Sequence, residues 1–177
     1  MKKTIIYGLI AGLFVTVIMV TGMANLYDTD KQGSMLFGYT TMLVAFSLIF
    51  VSIKNYRDAN NGIISFGKAF QIGLWISLIA STIYVMGWMT EFYVFFPDFY
   101  DKSEIHSLAK MKAAGATQAL IQTKMQYYDQ LKQMTNNPLA HALMTYLEIL
   151  PVGLLVSVIA ALILKRKVVN PRLAVNA

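Results

Sequence analysis

Cysteine is absent from this chain of 177 residues, and charged residues and histidines are scarce. Without cysteine there is no disulfide, no thiolate metal ligand and no thiol nucleophile. Charged residues make up 14% of the sequence, whereas soluble domains carry about 25%. The glycine-rich phosphate loop, HExxH and GxSxG are also missing. We therefore expect that the protein is not an enzyme and that it has no cofactor and no metal site.

Apolar residues make up 56% of the chain and gather in four long runs. A helix that crosses a bilayer needs about 20 apolar residues. The runs cover residues 5–26, 36–53, 70–96 and 139–164. They predict an all-α fold, a four-helix transmembrane bundle that forms one domain over residues 1–168, with a tail at 169–177.

A secretory signal peptide is the alternative interpretation of the first run. Lys2 and Lys3 would form its positive region, and residues 22–24 weakly resemble a cleavage site. The apolar part of a signal peptide spans about 7–15 residues. This run is longer and three more follow it, so we expect it to remain as a membrane helix.

The net charge of +6 is distributed unevenly between the two ends of the predicted bundle. The end that carries both termini has one acid, Asp58, and nine basic residues: Lys2, Lys3, Lys54, Arg57, Lys68, Lys165, Arg166, Lys167 and Arg172. Positive flanks mark the cytoplasmic side of a membrane protein. Both termini are therefore expected in the cytoplasm, and nucleic acid is not an expected partner.

The segment 97–138 between the third and fourth runs becomes an extracytoplasmic helical insertion in this topology. Its apolar spacing predicts two helices, the second over 117–135, with Gly115 and Thr117 as caps. The apolar residues of the second helix share one face: Ile121, Met125, Tyr128 and Leu131. This face is expected to pack against the end of the third run, or, if exposed, to dock a partner.

Small residues recur at steps of four in three of the runs, a pattern that lets helix backbones approach closely in lipid. The stripes are Gly8 and Gly12, then Gly73, Ser77 and Ser81, and finally Gly153, Ser157 and Ala161. We expect them to pack the bundle internally. Alternatively, the same close contact would join copies of the chain into a homo-oligomer.

Ionisable residues within the apolar runs are candidates for a proton or cation site, because they are rare at membrane depth. The candidates are Glu91, Glu148 and His141. We expect Glu148 to face the bundle interior, because lipid exposure is costly at that depth, and Glu91 to approach the same region from the third run. Pro151 lacks an N–H, so the carbonyl of Leu147 would lie free beside Glu148. The alternative is structural: Glu148 is neutral and bonded to a neighbouring helix, Glu91 reaches water, and His141 sits at the interface.

Lys54, Arg57 and Lys68 flank the loop between the second and third runs, in which Asn61 and Gly62 predict a turn. Basic residues here ordinarily anchor the cytoplasmic side. The more specific interpretation is a contact with anionic lipid or phosphate.

His106, in the insertion, has no second ligand at a metal-site spacing and is expected to be a surface residue.

Several motifs resemble one known family, the domain of unknown function 4199. They are residues 54–58, 62–70, 148–154 and 165–167, and the resemblance extends over about residues 1–168. It implies a small bacterial membrane protein with four spans. It implies no activity and no functional residues, because none are assigned in that family.

These observations lead to two expectations about function. The first is a structural or accessory protein of the bacterial inner membrane, which engages a partner protein or another copy through its external helices. The alternative is a small proton- or cation-coupled transporter that uses the intramembrane carboxylates. A membrane enzyme ranks third, because no catalytic constellation is present.

Overall fold

The computed structural model describes residues 2–26 and 35–166, and the predicted tail at 169–177 lies outside them. Within the described residues the chain forms six α-helices and one π-helical turn. The helices are α1 (Lys2–Leu26), α2 (Met35–Ala59), α3 (Phe66–Thr90), α4 (Phe99–Ala113), α5 (Gln118–Thr135) and α6 (Pro138–Leu164), and the π turn is Glu91–Phe95.

Four helices are long and apolar enough to cross a membrane, which confirms the four-helix prediction. They are Lys2–Asn25, Met35–Ala59, Phe66–Phe95 and Pro138–Leu164. The helices extend beyond the apolar runs where local capping allows it. Ser65, for example, accepts a hydrogen bond from the Lys68 N–H at 3.2 Å, so α3 starts at Phe66 rather than at residue 70.

Helix α3 packs against both α1 and α6 and forms the centre of the bundle. A Cβ added at Gly8 would lie 2.9 Å from Cβ of Ile79, and one added at Gly12 would lie 2.9 Å from Cβ of Ile83. These separations are shorter than van der Waals contact, so α1 approaches α3 at the two glycines because they lack side chains. The first small-residue stripe is used within the chain.

The crossing of α3 and α6 uses the other two stripes reciprocally. A Cβ at Gly73 would lie 2.6 Å from Ser157 Oγ, and a Cβ at Gly153 would lie 2.7 Å from Ser77 Oγ. The two serine hydroxyls are 3.2 Å apart and fully buried. Each also donates to a carbonyl of its own helix, so the close contact leaves neither hydroxyl unpaired. Internal packing is therefore the observed use of these stripes.

Helices α4 and α5 form a hairpin between α3 and α6, and the end of the bundle that carries it is called the hairpin end below. Gly115 has φ of 71°, which a residue with a side chain rarely adopts. The Thr117 hydroxyl accepts from the Leu120 N–H at 3.4 Å. The predicted caps and helix breaks are thus confirmed.

Lys132 of α5 lies 2.7 Å from Glu104 of α4 and also pairs with Asp101.

The face that α5 buries differs from the predicted one. Ile121 and Tyr128 are buried as expected and Leu131 is half-buried, but Met125 is 43% exposed, so its placement was wrong. The buried positions continue to Thr135, and α5 packs against α4 and the start of α6. Helices α4 and α6, together with the hydrogen bond from the Tyr93 hydroxyl to the Thr135 carbonyl, therefore set the register of the buried face.

The opposite end of the bundle carries the short loop after α2 and is called the basic end. Asn61 and Gly62 have φ of 53° and 76°, which confirms the predicted turn. Ile64 exchanges two backbone hydrogen bonds with Arg166, at 3.2 and 2.9 Å. The loop is therefore fastened to the end of α6.

Candidate functional site

Glu91 occupies the point where α3 changes from an α-helix into a π turn. The turn runs to Phe95, and Pro97 follows two residues later. A residue before proline avoids the helical region, and Phe96 accordingly has φ of −134° and ψ of 58°. The wider π turn inserts one extra residue and reorients the side chains around it. Such turns occur frequently at functional sites.

The Glu91 carboxylate is buried without a hydrogen-bond partner. The residue is 3% exposed, and neither carboxylate oxygen has a partner among the described residues. A buried polar group without a partner costs about 1–3 kcal/mol, and more when it is charged. The expectation that Glu91 reaches water is therefore wrong, and its burial requires an explanation.

A cavity of about 530 Å³ lies beside Glu91, between α1 and α3. Its lining residues are mainly apolar: Thr16, Val20, Ala24, Ile83, Met86, Gly87, Thr90, Glu91, Phe95 and Phe96. The hydroxyl of Thr16 is also buried without a partner. Thr90 is satisfied, because it donates to the Met86 carbonyl at 2.8 Å. Two residues of the lining, Glu91 and Thr16, therefore have buried oxygens that lack a hydrogen-bond partner.

His141 lies fully buried at the hairpin end rather than at an interface, which corrects the expectation from its position. Its Nε2 accepts a hydrogen bond from the Trp88 indole N–H at 2.9 Å. An indole N–H can only donate, so Nδ1 carries the proton of the neutral ring. Nδ1 is 3.4 Å from the Tyr93 hydroxyl, which donates onward to the Thr135 carbonyl at 2.6 Å.

Aromatic rings enclose His141, in contacts of 4.7 to 6.4 Å between ring centroids. The rings belong to Trp88, Phe92, Tyr93 and Tyr100. Both ring nitrogens already have partners, so the imidazole is a packing and hydrogen-bonding element that joins α3, the π turn and α6. Nothing in this geometry leaves a free nitrogen for a proton relay.

Glu148 lies on α6 and is exposed, contrary to the expectation that it faces the bundle interior. It does not bond Glu91, because the Glu91 oxygens have no hydrogen-bond partner. Both carboxylates nevertheless lie within electrostatic range of Tyr84. Burial raises the pKa of Tyr100 to about 12, with smaller contributions from Tyr127 and Glu148. The two carboxylates therefore do not form a directly hydrogen-bonded pair.

The three basic candidates lie together at the basic end, and two of them already have partners. Arg57 binds the Asp58 carboxylate at 3.1 Å. Lys68 donates to Gln71 at 3.0 Å and lies 5.7 Å from the centre of the Tyr56 ring. Lys54 is exposed. A contact with anionic lipid or phosphate stays a prediction for this end.

Two contributors to the site were missed in the sequence. Thr16 gives no signal, because a threonine within an apolar helix ordinarily bonds its own backbone. Trp88 precedes His141 by 53 positions, and no periodicity within one helix links residues of different helices. Gly87 was the available signal, since a glycine one turn before Glu91 marks a close approach, and Thr16 packs against it.

Comparison with known proteins gives one match. No curated protein and no solved structure matches the chain. The model of one family, described as a protein of unknown function (DUF4199), matches residues 6–166. This range covers most of the chain and includes the π turn, the hairpin and both ends of the bundle. The chain therefore belongs to the DUF4199 family.

Proposed function

We propose that the protein is an accessory protein of the bacterial inner membrane that presents the α4–α5 hairpin to a partner protein on the extracytoplasmic side. The orientation rests on the positive-inside rule, because Lys54, Arg57 and Lys68 gather at the end opposite the hairpin. Both termini are then cytoplasmic.

An exposed apolar row on α5 carries the proposal. Leu120, Tyr127 and Met134 are spaced by seven residues, which places them on one helical face, and they are 55%, 47% and 47% exposed. The adjacent face buries Ile121 and Tyr128 against the hairpin. Exposed apolar patches on an otherwise polar helix mark interaction sites.

The hairpin is fixed firmly enough to present this row in a defined orientation. Lys132 pairs with Asp101 and Glu104 across the two helices. The Tyr93 hydroxyl donates to the carbonyl of Thr135 at the end of α5. A preorganised surface loses less conformational entropy when it binds.

Site-specific photocrosslinking in native membranes tests the proposal. A photoreactive residue at Tyr127 should give one discrete crosslinked protein. The same residue at Asp129, which is exposed about half a helical turn away on the polar face, should give none. Substitution of Leu120 and Met134 by serine should abolish the crosslink at position 127. Crosslinking only to lipid, or equally from both positions, would contradict a protein partner.

A small proton- or cation-coupled transporter is the second candidate, and the buried carboxylate of Glu91 is the observation that favours it. Glu148 is exposed and makes no hydrogen bond to Glu91, and both ring nitrogens of His141 have partners, which weighs against a three-residue relay. Proton flux into proteoliposomes distinguishes the candidates. A flux that Glu91→Gln abolishes and that Glu148→Gln leaves intact would support the transporter, whereas no flux above empty vesicles would exclude it.

A further inference from the structure

Three residues at the basic end of α3 form a row that no other helix covers. Lys68, Gln71 and Trp75 follow at steps of three and four residues, so they lie on one side of the helix. All three are exposed, whereas Ile72 and Ile76 beside them are buried in the bundle. The row, called the outer face of α3 below, is therefore in contact with the surroundings of the protein.

The positive charge of Lys68 is not neutralised within the described part of the chain. Its ammonium donates to the side-chain oxygen of Gln71 at 3.0 Å and lies 5.7 Å from the centre of the Tyr56 ring, near the end of α2. Both of these partners are neutral, and no carboxylate of residues 2–26 and 35–166 forms an ion pair with Lys68. An ammonium has three N–H donors, so two remain for an acceptor outside the chain.

The rest of the basic end adds positive charge around Lys68. The two backbone hydrogen bonds between Ile64 and Arg166 hold the end of α6 against the loop just before α3. Arg166 and Lys54 are exposed. Arg57 is paired with Asp58, so these two charges cancel. The end of the bundle therefore carries an excess of positive charge, which attracts lipids with a net negative headgroup and repels the cation of a zwitterionic one.

Trp75 extends the outer face of α3 from the polar end toward the hydrocarbon. It lies seven residues after Lys68, which corresponds to about 10 Å along the helix axis, and its side chain is 48% exposed. Indole rings are favoured where the headgroups of a bilayer meet the hydrocarbon. The face thus presents a cation at its polar end and an aromatic ring deeper in the span Phe66–Phe95. A phospholipid presents its phosphate and its acyl chains in the same order.

We propose that the outer face of α3 binds an anionic phospholipid. Lys68 holds the headgroup phosphate, and the ring of Trp75 packs against the acyl chains. A free phosphate would contact only the polar end of this face, whereas a lipid also covers the exposed indole. The proposal does not depend on the hairpin or on its partner.

Quenching of tryptophan fluorescence by brominated lipids tests the proposal on the purified full-length protein in nanodiscs. The nanodiscs contain phosphatidylglycerol and phosphatidylcholine in equal amounts, with bromine on the acyl chains of only one of them. The chain has two tryptophans, so the signal of Trp75 is the difference between the wild type and Trp75→Phe. We expect brominated phosphatidylglycerol to quench Trp75 more strongly than brominated phosphatidylcholine.

Two lysine variants separate a site on α3 from a general attraction of the basic end. Lys68→Gln should lower the preference for phosphatidylglycerol at Trp75 by about fivefold, the usual contribution of one basic residue at an anionic membrane surface. Lys54→Gln removes the same charge from the same end, but Lys54 lies two positions before Tyr56 and hence on the other side of α2. It should lower the preference by about twofold at most, because its charge acts from a distance and is screened by salt.

Three results would overturn the proposal. The first is equal quenching of Trp75 by the two brominated lipids in the wild type. The second is a loss in Lys68→Gln no larger than the loss in Lys54→Gln, which would leave only a general attraction of charge. The third is relief of the quenching by inorganic phosphate, which would assign the polar end to a free anion. Circular dichroism spectra like that of the wild type establish that both lysine variants are folded.

Discussion

A methyl group added at Gly73 tests the closest contact between α3 and α6. The new Cβ would lie 2.6 Å from Ser157 Oγ and 2.7 Å from Ser157 Cβ, whereas carbon atoms prefer about 3.5–4.0 Å. The helices must therefore separate, or Ser157 must move by several tenths of an ångström. Overpacking of this kind costs about 1–3 kcal/mol. We expect Gly73→Ala to lower the free energy of unfolding by that amount.

The same geometry predicts a partial rescue from across the interface. Ser157→Gly removes both atoms nearest to the new methyl group, and the next contact is Ile49 Cγ2 at 3.1 Å. The single variant Ser157→Gly also loses the hydrogen bond from its hydroxyl to the Gly153 carbonyl and the 3.2 Å contact with the Ser77 hydroxyl. In a double-mutant cycle, the double variant Gly73→Ala/Ser157→Gly should lose less free energy of unfolding than the two single variants lose together. The difference should be about 1 kcal/mol or more.

Equilibrium unfolding of the purified protein in mixed micelles, followed by far-ultraviolet circular dichroism, measures these free energies. Gly38→Ala is the matched control, because Gly38 lies within α2 and no atom within 4 Å would meet its Cβ. It should be neutral or stabilising by up to about 1 kcal/mol, the usual advantage of alanine in a helix. If Gly73→Ala matched Gly38→Ala, or if the two variants at the crossing were additive, the packing argument would be refuted.

Two further predictions concern the hairpin end. Trp88→Phe leaves the buried Nε2 of His141 without a donor, so it should destabilise the protein by about 1–3 kcal/mol in the same unfolding assay, whereas Trp75→Phe at an exposed position should not. Lys132→Met removes the ion pairs with Asp101 and Glu104; because these pairs are partly exposed, we expect a loss of at most about 1 kcal/mol and faster hydrogen exchange within α4 and α5. Unaltered exchange in that variant would mean that the ion pairs do not hold the hairpin.

The parts of the fold set by local chemistry were predictable from the sequence. Four apolar runs of spanning length gave four helices, because a hydrogen-bonded helix is the structure that such a run adopts in lipid. Gly115, Thr117 and the Asn61–Gly62 turn followed from backbone preferences of single residues. The small-residue stripes were also interpretable, since close helix approach needs the absence of side chains at a fixed spacing.

Orientation within the tertiary structure was not predictable in the same way. Neighbouring residues of a helix point in directions that differ by about 100° around its axis. If the centre of the buried face is assigned slightly wrongly, a residue predicted to be buried is exposed, and the reverse. Met125 was assigned to the buried face of α5 and is exposed, because α4 and α6 set the contact. Glu148 was expected to face the bundle interior, because a carboxylate that faces lipid is costly, but it is exposed on α6.

The hydrogen-bond state of the two polar candidates also depends on other helices. His141 is neutral in this geometry because Trp88 of α3 donates to it. Glu91 lacks a partner because α1 presents apolar residues and one hydroxyl at that level. Sequence reasoning could identify both residues as unusual at membrane depth, but not which one was already satisfied.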